Sequence, residues 1–365
     1  MRLALYCPVY GFYEKEKDRI GRNGDFYTSV SVGKLFGELL AFQFAEWLLE
    51  CQSETRPVQI VEAGAHRGDL ARDILTWFRD RRPEVFPHLQ YVIIEPSAVR
   101  QKWQNVTLAE FAQKVSWFSR MTQLTTRING IIFANELLDA MPVRRFGWDA
   151  EKRAWFEWGV RLENGQFGWT RLNSSRRRAE AGAADICETP PPHVGGYSPI
   201  SAPFGTNEKL LSLLPDGFTF ESCHEAEIWW EDAARGLERG KLMTIDYGLT
   251  MDELVSPERK DGTLRGYYRH HPTSDVLANP GDQDLTAHVN FSTLIAAGEA
   301  NGLKTQKFET QAQFLSKIAA EAWKDQGTPE QWSSSRARQF QTLIHPEHLG
   351  RSFRVLLQSR DTVNS

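Results

Sequence analysis

Acidic side chains close three apolar runs, and each run is followed by a turn. Val58-Gln59-Ile60-Val61-Glu62-Ala63-Gly64 leads into Ala65-His66-Arg67-Gly68-Asp69-Leu70. Gly64 and Gly68 let a backbone approach a ligand closely, and the helix that follows turns its N-terminal amides toward that ligand. The second run ends at Glu95-Pro96-Ser97, where the two oxygens of a carboxylate suit the paired hydroxyls of a ribose. The third ends at Asn135-Glu136-Leu137-Leu138-Asp139. Two neighbouring carboxylates can hold a guanidinium by charge-assisted bonds, or Asn135 can cap a helix that carries acids in its first turn. The glycine turn alone does not choose a ligand. His66 stands where the middle glycine of a dinucleotide turn would be, and Glu95 lies about thirty residues beyond Gly64, farther than the roughly twenty of the NAD fingerprint.

The elements that must hold these groups read as alternating strands and helices. A helix is expected over Lys34 to Glu50, then strand Gln59 to Ala63, helix Asp69 to Arg79, strand Gln90 to Ile94 and helix Ala98 to Asn105. A possible strand near Val115-Ser116-Trp117 and strand Gly130 to Ala134 follow. Such alternation implies right-handed βαβ units, a parallel sheet, and ligands at the carboxyl ends of the strands. Residues 1–34 read as a loop-rich cover and not as core. Trp155 to Val160 and Phe167 to Leu172 flank Asn164-Gly165, a strong hairpin signal, and residues 173–207 read as a mobile insertion. Strand Phe218 to Glu221, a helix across Ile228 to Arg239 and strand Lys241 to Ile245 return the chain to the sheet, before a loop-rich stretch at 249–285 and a final αβ portion. The expected organisation is a cover at 1–34, an α/β domain made of 35–150 and 215–365, and an insertion at 151–214.

Composition narrows the class. A chain of 365 residues with 41% apolar content can bury one large core, and its net charge of −4 leaves no basic footprint for nucleic acid. Cys7, Cys51, Cys187 and Cys223 lie far apart, which disfavours a zinc knuckle or a disulfide framework. His345-Pro346-Glu347-His348 has no third ligand at recognisable spacing, so no metal is expected. No apolar run is long enough to span a bilayer and no presequence is evident, so a cytoplasmic location is expected; a processed organellar form would look the same.

Several segments together resemble the MidA-like family, which includes a protein arginine methyltransferase of mitochondrial complex I assembly. Leu5-Tyr6-x-Pro-x-Tyr10-Gly11-Phe12-Tyr13, Gly24-Asp25-Phe26-Tyr27-Thr28-Ser29 and Leu35-Phe36-Gly37-Glu38 are similar to its N-terminal signature. Val61 to Leu70, Ile94-Glu95-Pro96-Ser97, Asn135 to Val143, Ile245-Asp246-Tyr247-Gly248 and Asp284 to Phe291 follow in the family's order. The resemblance implies an α/β, doubly wound, seven-strand class I methyltransferase sheet with an N-terminal loop-rich cover and a central insertion lobe, binding S-adenosylmethionine. It implies that Gly64, His66 and Gly68 line the cofactor turn, that Glu62 anchors the amino-acid portion, and that Glu95 holds the ribose. Gly24 and Asp25 would close the cover over the cofactor, while Asn135, Glu136 and Asp139 would face the methyl group and an acceptor, expected to be an arginine of a partner protein. The family usually shows Gly-Pro-Gly-Arg-Gly where this chain has Gly64-Ala65-His66-Arg67-Gly68. Methylation of a small molecule, or a non-catalytic assembly role on the same fold, are the alternatives; nothing in the sequence addresses oligomeric state.

Overall fold

The computed structural model describes residues 1–15, 28–51, 57–172, 208–268, 271–325 and 333–361. Two short helices, α1 (Arg2–Tyr6) and α2 (Ser29–Val32), precede the long α3 (Leu35–Cys51). Then come β1 (Val58–Ala63), α4 (Asp69–Arg81), β2 (Leu89–Ile94), α5 (Ala98–Thr107), β3 (Val115–Phe118) and β4 (Ile128–Asn135). These four strands are parallel, and the apolar runs of β1, β2 and β4 are buried on both faces, as a sheet covered by helices requires, while the edge strand β3 is only partly buried.

The chain then leaves the sheet. Strands β5 (Arg144–Asp149), β6 (Ala154–Glu163) and β7 (Gln166–Leu172) form an antiparallel meander, and after α6 (Glu208–Leu213) strand β8 (Thr219–Ser222) pairs with β5. Asn164 and Gly165 at the β6–β7 turn have φ of 49° and 78°, the left-handed pair that matches hairpin twist. This side sheet runs from Arg144 to Ser222 and is thus wider than the 151–214 expected for an insertion. The sequence expected at 173–207 to be mobile lies outside the described residues.

Helix α7 (His224–Gly236) leads directly into β9 (Leu237–Leu249). The helix expected to reach Arg239 therefore ends three residues sooner: Leu237 is fully buried opposite Ile128 of β4, so its apolar side chain serves the strand and not the helix. Helix α8 (Met251–Leu254) and strands β10 (Arg265–Tyr268), β11 (His271–Thr273) and β12 (Asp284–Thr286) occupy the stretch expected to be loop-rich. Then follow β13 (Val289–Asn290), α9 (Phe291–Ala300), β14 (Lys304–Thr310), α10 (Gln311–Asp325), α11 (Ser334–Ile344) and β15 (Phe353–Arg360).

Seven strands make the central sheet in the order β3-β2-β1-β4-β9-β15-β14, with β13 added beside β9 and β15 antiparallel to its neighbours. Helices α3, α4, α10 and α11 cover one face around Phe44, Ile74, Phe133 and Phe314; α7 and α9 cover the other around Trp230, Ile132 and Phe291. Trp230 is wholly buried and its indole N–H donates to Gln358 Oε1 at 2.8 Å, a packing role for one of the paired tryptophans. The N-terminal segment is more than a cover. Leu5 and Phe12 form a small core of their own with Val276 and Leu285, because the short α1 turns its apolar side onto the β10–β12 sheet.

Register decides where chemistry can occur. Ala63, Ile94 and Ala134 are aligned across β1, β2 and β4, and Asn135 lies opposite Ile245 of β9. The next residue on each strand is Gly64, Glu95, Glu136 or Asp246, so all four open onto one carboxyl edge. The connection order reverses at β1, between β2 and β4, which creates a crevice at that edge.

Candidate active site

One half of the crevice is built on β1, β2 and α5. Gly64 and Gly68 have φ of 72° and 85°, and Gly68 is the N-cap of α4. A Cβ at Gly64 would lie 2.7 Å from the tip of the Leu137 side chain, and the left-handed backbone there is what favours glycine. His66 also adopts a left-handed backbone, with φ of 47°, a conformation that costs a non-glycine residue about 1 kcal/mol. Its carbonyl accepts from Gln104 Nε2 at 3.0 Å and its ring meets Trp103 edge-on at 6.0 Å, contacts that hold the strained turn.

Glu95 is buried, and its carboxylate accepts from the Ser97 amide at 3.0 Å and from Gln104 Nε2 at 3.2 Å. Burial pushes its carboxyl up, opposed by the Arg100 guanidinium and the Ser97 N–H. Two bonds leave acceptor capacity on both oxygens. Gln104 thereby ties the glycine turn to this acid, and its own Oε1 accepts from Trp117 Nε1 at 3.0 Å. Gln104 was not singled out from sequence; the only signal available was a polar residue on an otherwise ordinary helix. Glu62 has a different setting. It is buried one residue before the edge, accepts the Tyr91 hydroxyl at 2.6 Å, and is pushed up to about 7 by burial. Gly24 and Asp25 lie outside the described residues.

The other half gathers acids from distant parts of the chain. No helix follows Asn135, so the capping alternative does not occur; a buried aspartate closes the turn instead. Asp246 Oδ2 accepts the amides of Leu137 at 3.1 Å and Leu138 at 2.8 Å, with Asp139 N at 3.4 Å, while Oδ1 accepts the Tyr247 amide at 2.8 Å. Glu136 takes a left-handed backbone with φ of 51°, and its Oε1 accepts from the Ser29 amide at 2.9 Å and Asn135 Nδ2 at 3.2 Å. Asn135 Oδ1 is buried without a partner among the described residues.

These carboxyls are hard to ionise together. Burial pushes Glu136 up to about 7, reinforced by the charge of Asp246, and burial likewise pushes Asp246 up to about 7. Asp139 is raised well above the usual range by burial and by Asp246, Asp284 and Glu136. The Asp139 carbonyl accepts the Ala287 amide at 2.9 Å, which brings the Asp284 segment alongside, and the Tyr6 hydroxyl donates to the Ala140 carbonyl at 3.0 Å. The structure thus unites Asn135, Glu136 and Asp139 and adds Asp246, Asp284 and Ser29. Those three stood in motifs of the family resemblance, but nothing in their own spacing indicated convergence.

A seven-strand sheet with a reversed seventh strand, a glycine turn after β1 and an acid after β2 define a class I S-adenosylmethionine-dependent methyltransferase. The chain belongs to the family whose model is described as "Putative S-adenosyl-L-methionine-dependent methyltransferase", matched over residues 39–309. It is similar to the mitochondrial protein arginine methyltransferase NDUFAF7 of Danio rerio, 27% identical over 97% of this chain and 80% of that one. The NDUFAF7 homologue of Drosophila melanogaster is likewise 27% identical, covering 98% and 79%. Both relatives are mitochondrial by name, which lends the cytoplasmic expectation no support. A Burkholderia thailandensis superfamily member crystallised with S-adenosylhomocysteine superposes with a TM-score of 0.76 at 27% identity, over 98% of this chain and 86% of that chain. No helix among the described residues is long and apolar enough to cross a membrane. S-adenosylmethionine is the cofactor of this family, and the residues present fit it. Gly64 and Gly68 hold the turn in left-handed backbone that favours glycine, and Glu95 retains free acceptor positions beside that turn.

Proposed function

We propose that this protein methylates a guanidino nitrogen of an arginine side chain in a partner protein. Glu95 and the turn at Gly64, His66 and Gly68 hold the cofactor, and Glu136 and Asp139, oriented by Asn135 and Asp246, hold the acceptor. One observation carries the reading. Glu136, Asp139 and Asp246 converge under burial, and the charges acting on them come from one another and from Asp284, with no Lys or Arg ion-paired to the three among the described residues. A buried acidic cluster of this kind is costly unless a cation enters it, and guanidinium is planar, always charged and suited to paired carboxylates.

Bound S-adenosylmethionine supplies an electrophilic methyl group on a sulfonium. The chain's own contribution is alignment and proton handling. Glu136 and Asp139 orient the guanidinium so that one nitrogen faces the methyl carbon; the N–C bond forms as the C–S bond breaks, leaving S-adenosylhomocysteine. The nitrogen must shed one proton, and a carboxylate whose affinity for protons is raised by its neighbours accepts it. Asp246 does not need to touch the acceptor for this; by holding three successive amides it presents Glu136 and Asp139 on the same turn. The relatives named as protein arginine methyltransferases support the choice of acceptor.

The test is transfer of labelled methyl from S-adenosylmethionine into a lysate of the source organism, followed by acid hydrolysis and amino-acid analysis. Label is expected in methylated arginine of a protein fraction. Label confined to small molecules, or to another amino acid, would overturn the arginine reading.

A further inference from the structure

Glu136 is held from a distant part of the chain. With φ of 51° it has left the extended path of β4, so the direction of its carboxyl is set by the bonds on Oε1 and not by strand alternation. One of those bonds comes from its neighbour, Asn135 Nδ2 at 3.2 Å; the other comes from the Ser29 amide at 2.9 Å, in the short helix α2. A reciprocal pair, Thr28 N to Ser31 Oγ at 3.0 Å and Ser31 N to Thr28 Oγ1 at 3.2 Å, closes the first turn of α2. This pair sets the shape of α2 but not its place, and the place of the Ser29 amide is what Glu136 depends on.

A fully buried glutamine supplies that place. The Ser29 hydroxyl, itself fully buried, donates to Gln311 Oε1 at 3.1 Å. Gln311 opens α10, and its Nε2 donates at 2.9 Å to the carbonyl of Leu343 in the last turn of α11, where helix carbonyls have no partner within the helix. Both ends of the amide are therefore committed, and its orientation follows: the nitrogen must face the Leu343 carbonyl, which leaves the oxygen for Ser29 and makes the Ser29 hydroxyl the donor. The line Leu343, Gln311, Ser29, Glu136 consists of hydrogen bonds throughout, and it joins the end of α11 to the acceptor side of the crevice.

We propose that Ser29 and Gln311 are a positioning pair for Glu136: Gln311 anchors the Ser29 hydroxyl, and the amide so placed holds Glu136 Oε1 and aims the carboxylate at the methyl acceptor. The proposal rests on the reading of Glu136 as an acceptor-side acid. Neither Ser29 nor Gln311 needs to touch the acceptor or the cofactor. An N–H directed at a carboxylate favours its charged form, so slackening the pair raises the proton affinity of Glu136, an effect that a purely structural tie between α2 and α10 would not have. Asp246, the charge acting on Glu136, is left in place by substitutions at either position.

The test uses the full chain labelled with carbon-13 at the glutamate side-chain carboxyl, with the Glu136 signal assigned by its loss in Glu136→Gln and followed by NMR against pH. Ser29→Ala and Gln311→Met are each expected to raise the Glu136 midpoint by about one pH unit, a roughly tenfold gain in proton affinity, and the double variant to add nothing further because both act through one bond. S-adenosylmethionine affinity, by calorimetry on the same samples, should stay within about twofold, since the cofactor side is untouched. With a lysate of the source organism as acceptor near pH 7, labelled-methyl transfer should fall by roughly fivefold, as the ionised share of Glu136 drops from about a half to about a tenth. An unmoved midpoint in both single variants overturns the proposal, as does a double variant whose shift is the sum of the two. A raised midpoint with undiminished transfer upholds the positioning of Glu136 and overturns instead the reading of that acid as the group that handles the acceptor.

Discussion

The two halves of the crevice solve opposite electrostatic problems. On the cofactor side Glu95 is already satisfied in part by a backbone amide and a glutamine and lies within the field of Arg100. On the acceptor side Glu136, Asp139, Asp246 and Asp284 crowd together, and each raises the proton affinity of Asp139 or of its neighbour. The first half is locally built and nearly complete, whereas the acids of the second come from three separated stretches of chain and sit under burial that disfavours their charge. A cofactor binds through shape and a few hydrogen bonds; a cationic acceptor can be recognised by the relief of that charge.

The largest effect that could break this contrast is expected at Asp246. Asp246→Ala leaves the amides of Leu137, Leu138 and Tyr247 without their acceptor. Unsatisfied buried donors should lower stability by about 3 kcal/mol in urea unfolding. Relief of repulsion on Glu136 and Asp139 works against this, so a stabilised variant would mean that the turn is held by something other than Asp246.

A smaller effect sharpens the contrast through pH. Glu136 and Asp246 are raised to about 7, so the folded chain keeps protons that the unfolded chain gives up in the ordinary carboxylate range. Their contribution to stability is therefore full below about pH 4, declines as pH rises toward about 7, and is flat above it. The slope of urea midpoint against pH in that window should be shallower in Glu136→Gln than in the unaltered protein. A cationic acceptor should show the reverse, binding more tightly as pH is raised through about 7. An unchanged slope in Glu136→Gln would remove that carboxyl from the raised cluster.

The smallest effect belongs to the cofactor half. His66→Gly relieves a left-handed backbone but loses the ring contact with Trp103 and adds freedom to the unfolded chain. These terms are each about 1 kcal/mol and opposed, so stability and S-adenosylmethionine affinity should both change by less than about 1 kcal/mol. A tenfold gain in affinity would show that His66 obstructs the turn, and a tenfold loss that it serves the cofactor.

The contrast also explains what could be read from sequence. Strands β1, β2 and β4 are continuous apolar runs closed by glycine or acid, so their ends, and with them Gly64, Glu95 and Glu136, were legible from local pattern. Motif resemblance supplied the class of ligand. Asp246 and Gln104 act through partners more than a hundred and nearly forty positions away, respectively, in Leu138 and His66. Nothing in the spacing of one sequence encodes such pairings. The end of α7 was misplaced because Leu237 satisfies helical periodicity as well as it fills the sheet. The N-terminal core is not legible because the buried partners of Leu5 and Phe12, Val276 and Leu285, come from the far end of the chain.

The central claim is that the acceptor-side carboxylates handle the methyl acceptor and not the cofactor. The direct measurement is labelled-methyl transfer by Glu136→Gln, Asp139→Asn and the double variant, with S-adenosylmethionine binding followed by calorimetry on the same preparations. Cofactor affinity is expected to stay within several-fold, while transfer falls by roughly a hundredfold or more, the range of losing a general base and an oriented substrate. Full transfer by both single variants, with cofactor still bound, would contradict it.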